Sequence, residues 1–175
     1  MANGTWTIDE INALDREPFV ARLGFLFEGS PWIAAEAWEA RPFASREALH
    51  EALRQVIERA PAERQMALIR AHPDLVGRAA LAGTLGREST AEQAAAGLDR
   101  DRLSAEEVAT FTRLNGQYRE RFGFPFVICA RENKKAGILA GFAARLDNDR
   151  NEEIGVALGE IAKIGWYRLA DAVRG

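Results

Sequence analysis

The sequence is poor in the residues that form cross-links and bind metals. Its 175 residues include one cysteine, Cys129, and two histidines, His50 and His72. A single cysteine excludes an intrachain disulfide and is typical of a reducing compartment. Two histidines and one cysteine, widely separated, match no zinc-ligand spacing, so we expect no metal ion.

Long apolar runs and a strong excess of one charge are also missing. No uninterrupted apolar run approaches the roughly 20 residues that a membrane-spanning helix requires. The net charge is −3, which argues against a nucleic-acid partner. The first residues show no signal-peptide pattern, and the last three are no peroxisomal tripeptide. We therefore expect a cytoplasmic protein that binds neither nucleic acid nor membrane.

Helical periodicity dominates the rest of the sequence. Ser45 precedes an apolar stripe of helical spacing, and Ser104 opens a longer helix that Gly123 should end. The exception is the apolar run 124–130, which contains Pro125 and is too short for an amphipathic helix. The sequence predicts an all-α fold: one domain over residues 1–175, a bundle of seven to eight helices with one short extended apolar segment.

His72 is the first candidate for a functional residue. It ends the helical run 63–71, and Pro73 forces the residue before it out of the α region, so His72 should lie on a fixed corner. A histidine there is either a helix end favoured by the dipole or a general acid/base that titrates near neutral pH. His50, beside charged neighbours on its helix, is interpreted as solvated surface.

Two further stretches could bind a ligand. Ser89 and Glu92 have the spacing of a helix capping box, but with Gln93 they also offer a hydrogen-bonding platform for a polar ring. The extended run 124–130 leaves main-chain groups without helical partners, so either neighbouring side chains and water or a planar amide-like ligand must satisfy them.

Arg168 is the last candidate, because it lies on or beside the apolar stripe of the final predicted helix. A buried arginine is rare unless it is paired. It therefore either pairs with a structural carboxylate or receives an anionic ligand.

His72-Pro73-Asp74 also has a rival meaning. J-domain co-chaperones carry this tripeptide in a loop between two helices, after a strongly basic helix. Here Arg64 and Arg70 are the basic residues of the preceding run, and Leu75 follows the tripeptide. A non-enzymatic helical interaction module is thus the main alternative to an enzyme.

Several motifs in order resemble one enzyme family. They are His72-Pro73-Asp74-Leu75, then Ser89-x-x-Glu92-Gln93, then Leu114-Asn115-x-x-Tyr118-x-x-Arg121-Phe122-Gly123-Phe124-Pro125-Phe126, and finally Arg168-Leu169. Upstream, Trp38-x-x-Arg41-Pro42-Phe43 fits too. The sequence is similar to 2-oxo-4-hydroxy-4-carboxy-5-ureidoimidazoline (OHCU) decarboxylases, which act third in the conversion of urate to allantoin.

This resemblance implies an all-helical, cofactor-free lyase that is usually a homodimer and makes (S)-allantoin from OHCU, its small-molecule substrate. It implies that His72 is the catalytic acid/base, and we assign Glu92 a supporting catalytic role. The implied substrate contacts are Pro73, Ser89, Thr90, Ala91, Glu92, Gln93, Phe126, Val127, Ile128, Cys129, Ala130 and Arg168. A homologue that acts on another ureido or imidazole substrate remains a second alternative.

Overall fold

The computed structural model describes residues 5–175, and over them the chain is helical. The α-helices are α1 (Ile8–Asn12), α2 (Arg16–Leu23), α3 (Trp32–Ala37), α4 (Arg46–Arg59), α5 (Ala62–Ala71), α6 (Arg78–Ala82), α7 (Arg87–Ala95), α8 (Ala105–Phe122), α9 (Lys135–Arg145) and α10 (Arg150–Ala172). Short 3-10 helices cover Gly24–Leu26, Trp38–Ala40, Arg100–Arg102 and Ala130–Glu132. The described residues contain no strand beyond one isolated bridge between Trp6 and Val173.

The all-α class is confirmed, and seven of the ten α-helices in the described residues have eight or more residues. Three of the ten α-helices, α1, α3 and α6, have only five or six residues. Glycines flank α6, with Gly77 as its N-cap and Gly83 as its C-cap. Within the described chain, no helix has both the length and the apolar character needed to cross a membrane.

The described chain divides into two compact units. The first contains the described residues up to Leu68 together with Ala162–Gly175, and the second contains Ile69–Ile161. The prediction of one domain therefore stays a prediction. All the candidate site residues belong to the second unit except Arg168, which belongs to the first.

In the first unit, a cation–π contact and hydrogen bonds to the main chain account for the Trp38–Arg41 motif. The Arg41 guanidinium lies 3.8 Å from the centre of the Trp38 ring and donates to the carbonyl oxygens of Asn12, at 2.9 Å, and Leu14, at 2.8 Å. The Trp38 indole N–H donates to the same Leu14 oxygen at 3.1 Å. This motif therefore contributes to structure in the first unit.

His50, also in the first unit, is not the solvated side chain that its own helix suggested. Its Nε2 lies 2.8 Å from the carbonyl oxygen of Ala162, and its ring packs edge-on against Trp166. The interpretation was wrong because α4 periodicity carries no information about the distant turn of α10 that lies against it.

The second unit is built around α8. Ser104 begins this helix with a reciprocal capping box, and Gly123 follows it in the left-handed conformation, with φ of 79°. Glycine adopts that conformation without the cost that a Cβ imposes. The helix buries Phe111, Asn115, Tyr118 and Phe122. Asn115 is the polar residue on an otherwise aromatic face.

Candidate active site at the His72 corner

His72 lies where the sequence predicted, one residue beyond the last residue of α5. Its main-chain N–H donates to the carbonyl oxygen of Ile69 at 3.2 Å, and Pro73 prevents the helix from continuing. The side chain is buried, with 6% of its surface exposed, and its Nε2 atom is shielded from solvent. A buried imidazole on a fixed corner suits proton transfer to an enclosed ligand.

An ion pair and a tight turn hold the segment 72–77, called here the His72 corner. Both carboxylate oxygens of Asp74 accept from the Arg119 guanidinium of α8, at 3.0 and 3.1 Å from Nε. The Gly77 N–H closes a turn onto the Asp74 carbonyl at 3.3 Å. A Cβ on Gly77 would lie 2.7 Å from the Asp74 Cβ, so the turn leaves no room for a side chain.

Two buried amides complete the support of the corner. The Nδ2 of Asn115 donates to the Leu75 carbonyl at 2.8 Å, and the Val76 N–H donates to the Oε1 of Gln93 at 3.1 Å. The His72 side chain is therefore carried by a pinned segment with a buried core, unlike the open loop that presents the J-domain tripeptide. This geometry disfavours the interaction-module alternative.

Helix α7 supplies the second candidate stretch, but not as a helix start. It begins at Arg87, with Gly86 as its N-cap, so the predicted capping box of Ser89 and Glu92 was wrong. The helix starts earlier because Gly86 already leaves the chain in an extended conformation before the first turn. Ser89 and Gln93, four residues apart, are both buried on one face.

The other predicted residues of α7 divide between that face and the surface. Glu92 is partly buried, three residues after Ser89 and so on the same side of the helix. Thr90 and Ala91 are exposed, and the Thr90 hydroxyl donates to the carbonyl of Gly86 at 2.9 Å. The structure brings Ser89, Glu92 and Gln93 together and leaves the side chains of Thr90 and Ala91 outside this group.

The predicted extended segment is present, and protein side chains satisfy part of its main chain. Residues 125–129 form no helix or strand, and all but Ile128 are buried. The Val127 carbonyl accepts from Arg145 at 2.6 Å, and the Cys129 N–H donates to Glu160 at 2.7 Å. Neighbouring side chains, one of the two expected alternatives, thus account for these groups.

A buried charged network stands behind this segment. Arg145 donates to Glu153 at 2.5 Å, and the Tyr118 hydroxyl also donates to Glu153. Burial and the hydrogen bond with Glu153 raise the pKa of Tyr118 far above its usual range. Arg145 also lies over the Phe126 ring, 4.2 Å from its centre, while Phe126 stacks on Phe142. The buried rings of Phe124 and Phe126, together with the extended segment that carries them, are called here the phenylalanine wall.

Sequence reasoning missed this network, although a signal was present. Arg145 follows Phe142 by three residues on the buried face of α9, just as Arg168 stands beside an apolar stripe on α10. A charged residue in phase with buried ones indicates a buried partner.

Cys129 does not offer a nucleophile. Burial raises the pKa of its thiol to about 11, so the neutral form dominates at physiological pH. The predicted contact of Cys129 with substrate would therefore involve its side chain as a small apolar group, or its main chain.

Helix α7 connects the two halves of the candidate site. Gln93 reaches the His72 corner, and α7 packs against the turn Ala130–Glu132 that ends the extended segment. The Lys135 N–H adds a hydrogen bond to the Ala96 carbonyl just beyond α7, at 3.1 Å. The corner, the polar face of α7 and the end of the phenylalanine wall are thereby fixed within one compact unit.

Arg168 lies in the first unit, buried with 4% exposure. Its Nη2 donates to the Glu28 carboxylate at 3.0 Å, and its Nη1 donates to the Phe25 carbonyl at 3.4 Å. This agrees with the structural-carboxylate alternative, and its contact with substrate stays a prediction.

Comparison with known proteins identifies the family that this chain resembles. The sequence profile of the family described as OHCU decarboxylase matches residues 12–170. The 2-oxo-4-hydroxy-4-carboxy-5-ureidoimidazoline decarboxylase of Amia calva is 43% identical over 165 residues, which cover 94% of this chain and 93% of that protein.

Two solved structures share the fold. A crystal structure of (S)-allantoin synthase aligns with a TM-score of 0.74 and 24% identity, over 96% of this chain and 54% of that one, so this chain spans about half of it. A crystal structure of OHCU decarboxylase in the presence of (S)-allantoin aligns with a TM-score of 0.66 and 20% identity, over 90% of this chain and 96% of that one.

Proposed function

The chain belongs to the OHCU decarboxylase family, and we propose that His72 is the acid/base with which it converts OHCU to (S)-allantoin. The enzyme is a carboxy-lyase of urate degradation. One observation supports the role of His72 above all: its imidazole is buried on a corner that Asp74 and the main chain of Leu75 and Val76 anchor to two helices. A proton carrier must be held in this way to act from one side.

The substrate provides a place for the electrons that decarboxylation releases. A ring C=N stands next to the carbon that loses CO2, so the electron pair of the broken C–C bond moves into that system. The nitrogen takes up one proton and an enol remains. Transfer of the hydroxyl proton to the ureido-bearing carbon then gives the carbonyl of allantoin. His72 carries this proton from oxygen to carbon, and transfer on one ring face sets the S configuration.

The polar face of α7 holds the substrate for that transfer. Glu92 orients the substrate hydroxyl or a ureido N–H, and Ser89 binds a polar atom of the ring. Because the Oε1 of Gln93 already accepts from Val76, its NH2 group is the half that donates to a ring acceptor. Pro73 contacts the substrate beside His72. Thr90 and Ala91, whose side chains are exposed, remain predicted substrate contacts of α7.

The phenylalanine wall fixes the ring face. The Val127 carbonyl and the Cys129 N–H already bind protein side chains, so hydrogen bonds to substrate would come from other main-chain groups of residues 126–130. Arg168 carries a permanent charge, with which it would attract the anionic substrate. Its ion pair with Glu28 is a separate contact within the protein.

The family resemblance also supports a cytoplasmic homodimer. Light scattering of the native protein should give a mass of twice the chain mass of 19.3 kDa, and a mass of one chain would contradict the dimer.

The role of His72 is tested by substitution with a matched histidine control. His72→Ala should lower kcat by about 100-fold to 10,000-fold, the usual contribution of a general acid/base, with an unchanged far-ultraviolet circular dichroism spectrum. His50→Gln should keep normal turnover, because a glutamine amide can still donate to the Ala162 carbonyl. Near-normal turnover by a folded His72→Ala variant would refute the acid/base role.

A further inference from the structure

One peptide unit of the His72 corner is held on both sides by side-chain amides. The Leu75 carbonyl accepts from Asn115 on α8, and the N–H of the same peptide unit, that of Val76, donates to Gln93 on α7. Both hydrogen bonds are buried. Two helices distant in sequence therefore fix the plane of a single peptide bond.

The chemistry of the two amides matches the observed orientation of the peptide. A carbonyl oxygen can bond only to the NH2 half of Asn115, and an N–H can bond only to the oxygen half of Gln93. If the Leu75–Val76 peptide flipped, the Leu75 oxygen would point toward the oxygen of Gln93, and the Val76 N–H toward the NH2 of Asn115. The pair thus stabilises the observed peptide, because a flip of the peptide alone would break both hydrogen bonds.

Val76 makes this selection necessary. Its φ is +52°, a conformation that a β-branched residue rarely adopts. Flipping the preceding peptide would return this φ to negative values, which valine prefers. The two hydrogen bonds therefore oppose the local conformational preference of the chain.

Because the His72 corner is short and constrained, a flip of the Leu75–Val76 peptide would displace His72. Two residues separate Leu75 from His72, and one of them is Pro73, whose ring fixes φ. The turn from Asp74 to Gly77 leaves no space to absorb a rearrangement, since a single added Cβ would already collide there. A change at Leu75 thus displaces the residues before it.

Asn115 is poorly suited to its site on grounds of stability alone. It shares the buried face of α8 with Phe111, Tyr118 and Phe122. Its Oδ1 is buried and, among the described residues, has no hydrogen-bond partner, which is unfavourable in a protein interior. What the amide supplies is therefore geometry, through its bond to Leu75.

We propose that Asn115 is a positioning residue for the decarboxylation. With Gln93 it locks the Leu75–Val76 peptide and thereby sets the place of the His72 imidazole. The inference rests on the proposed function of His72 as acid/base. Because Asn115 acts through the corner, its loss lowers kcat and leaves KM almost unchanged.

The first test replaces Asn115 with an apolar residue of similar size. In Asn115→Leu, kcat should fall by about tenfold to 100-fold, the effect expected of a misplacement near 1 Å, while KM stays within about twofold. Phe111→Leu is the matched control: it also loosens the buried face of α8, one turn earlier, where Phe111 packs edge-on against Phe142 of α9. It should keep normal kcat under conditions where all variants are folded.

The position of His72 can be observed independently of catalysis. The chain has two histidines, so ring carbon–proton NMR correlations contain one pair of signals for each, and His50→Gln assigns them. The His72 signal should shift or broaden in Asn115→Leu and stay in place in Phe111→Leu.

A conservative variant offers rescue. In Asn115→Asp the introduced carboxyl can donate to Leu75 only when it is protonated, and burial raises its pKa. The kcat relative to wild type at the same pH should therefore be low near pH 8 and recover as the pH falls toward about 5.5. Taking the ratio removes the titration that both proteins share through the charged groups around the corner: His72, Asp74, Glu92 and Arg119.

Three results would overturn the proposal: normal kcat in folded Asn115→Leu, an unmoved His72 signal, or an Asn115→Asp activity ratio independent of pH. Full activity of His72→Ala would be a different result, because it would refute the proposed acid/base role of His72 and not the positioning role of Asn115. The NMR signal still decides in that case whether Asn115 positions the ring.

Discussion

At the scale of single residues, the candidate site combines positions that local sequence determines with positions that it does not. The corner at His72 follows from the next residue alone, because Pro73 restricts the backbone of the residue before it. By contrast, the state of Cys129 depends on burial, because that is what raises the pKa of its thiol to about 11. Reactivity of the single cysteine is therefore a test of the packed segment.

We predict that Cys129 is inert in the native protein. At pH 8 a thiol with a pKa near 11 is ionised in roughly one molecule in a thousand, and this side chain is only 1% exposed. Mass spectrometry after treatment with iodoacetamide should show unmodified native protein and complete modification in urea. Because the pKa is raised, labelling should accelerate only as the pH rises toward 11. Rapid labelling at pH 8 without urea would show that the segment is open.

At the scale of helices and loops, the sequence predicted elements well and their partners poorly. The capping serines before α4 and α8 and the glycine after α8 were correct, because caps depend on neighbours a few residues away. The start of α7 was wrong, since a serine–glutamate spacing that resembles a cap can also lie inside a helix. Gly86 decided the boundary.

The contacts between elements could not be predicted, because they join residues that are far apart in the sequence. Helical periodicity tells which face is buried, but not which residue of another helix it meets. The hydrogen bonds of Asn115 to Leu75 and of Gln93 to Val76 join residues 40 and 17 positions apart. The buried pair of Arg145 with Glu153 is of this kind as well, and so was missed.

Breaking that pair should destabilise the protein strongly. Arg145→Met leaves the completely buried Glu153 without its cation, which should lower the free energy of unfolding by about 3–5 kcal/mol. Urea denaturation followed by circular dichroism measures it. The double variant Arg145→Met/Glu153→Gln should recover much of the loss, because it removes the uncompensated charge.

The surface ion pair of Arg54 with Glu51 is the control for this experiment. Its partners are substantially exposed, and such pairs contribute little. Arg54→Met should leave the denaturation midpoint nearly unchanged. If Arg145→Met were equally harmless, the buried network would not stabilise the second unit.

At the scale of the whole molecule, family membership and fold support the same function. The family profile covers residues 12–170, and the all-α fold expected from periodicity is present over the described chain. Within the second unit, α7 joins the His72 corner to the phenylalanine wall. Arg168 shows what the sequence left undecided, because its helical phase predicted burial but not a partner, and the fold supplies Glu28.

The most direct measurement adds the purified protein to freshly generated OHCU and follows allantoin by circular dichroism. We predict rapid growth of the signal of (S)-allantoin with wild type and His50→Gln, and only the slow, racemic, signal-free decay of the substrate with His72→Ala. A wild-type protein that leaves the decay racemic, or a His72→Ala variant that still produces the S enantiomer at the normal rate, would contradict the account.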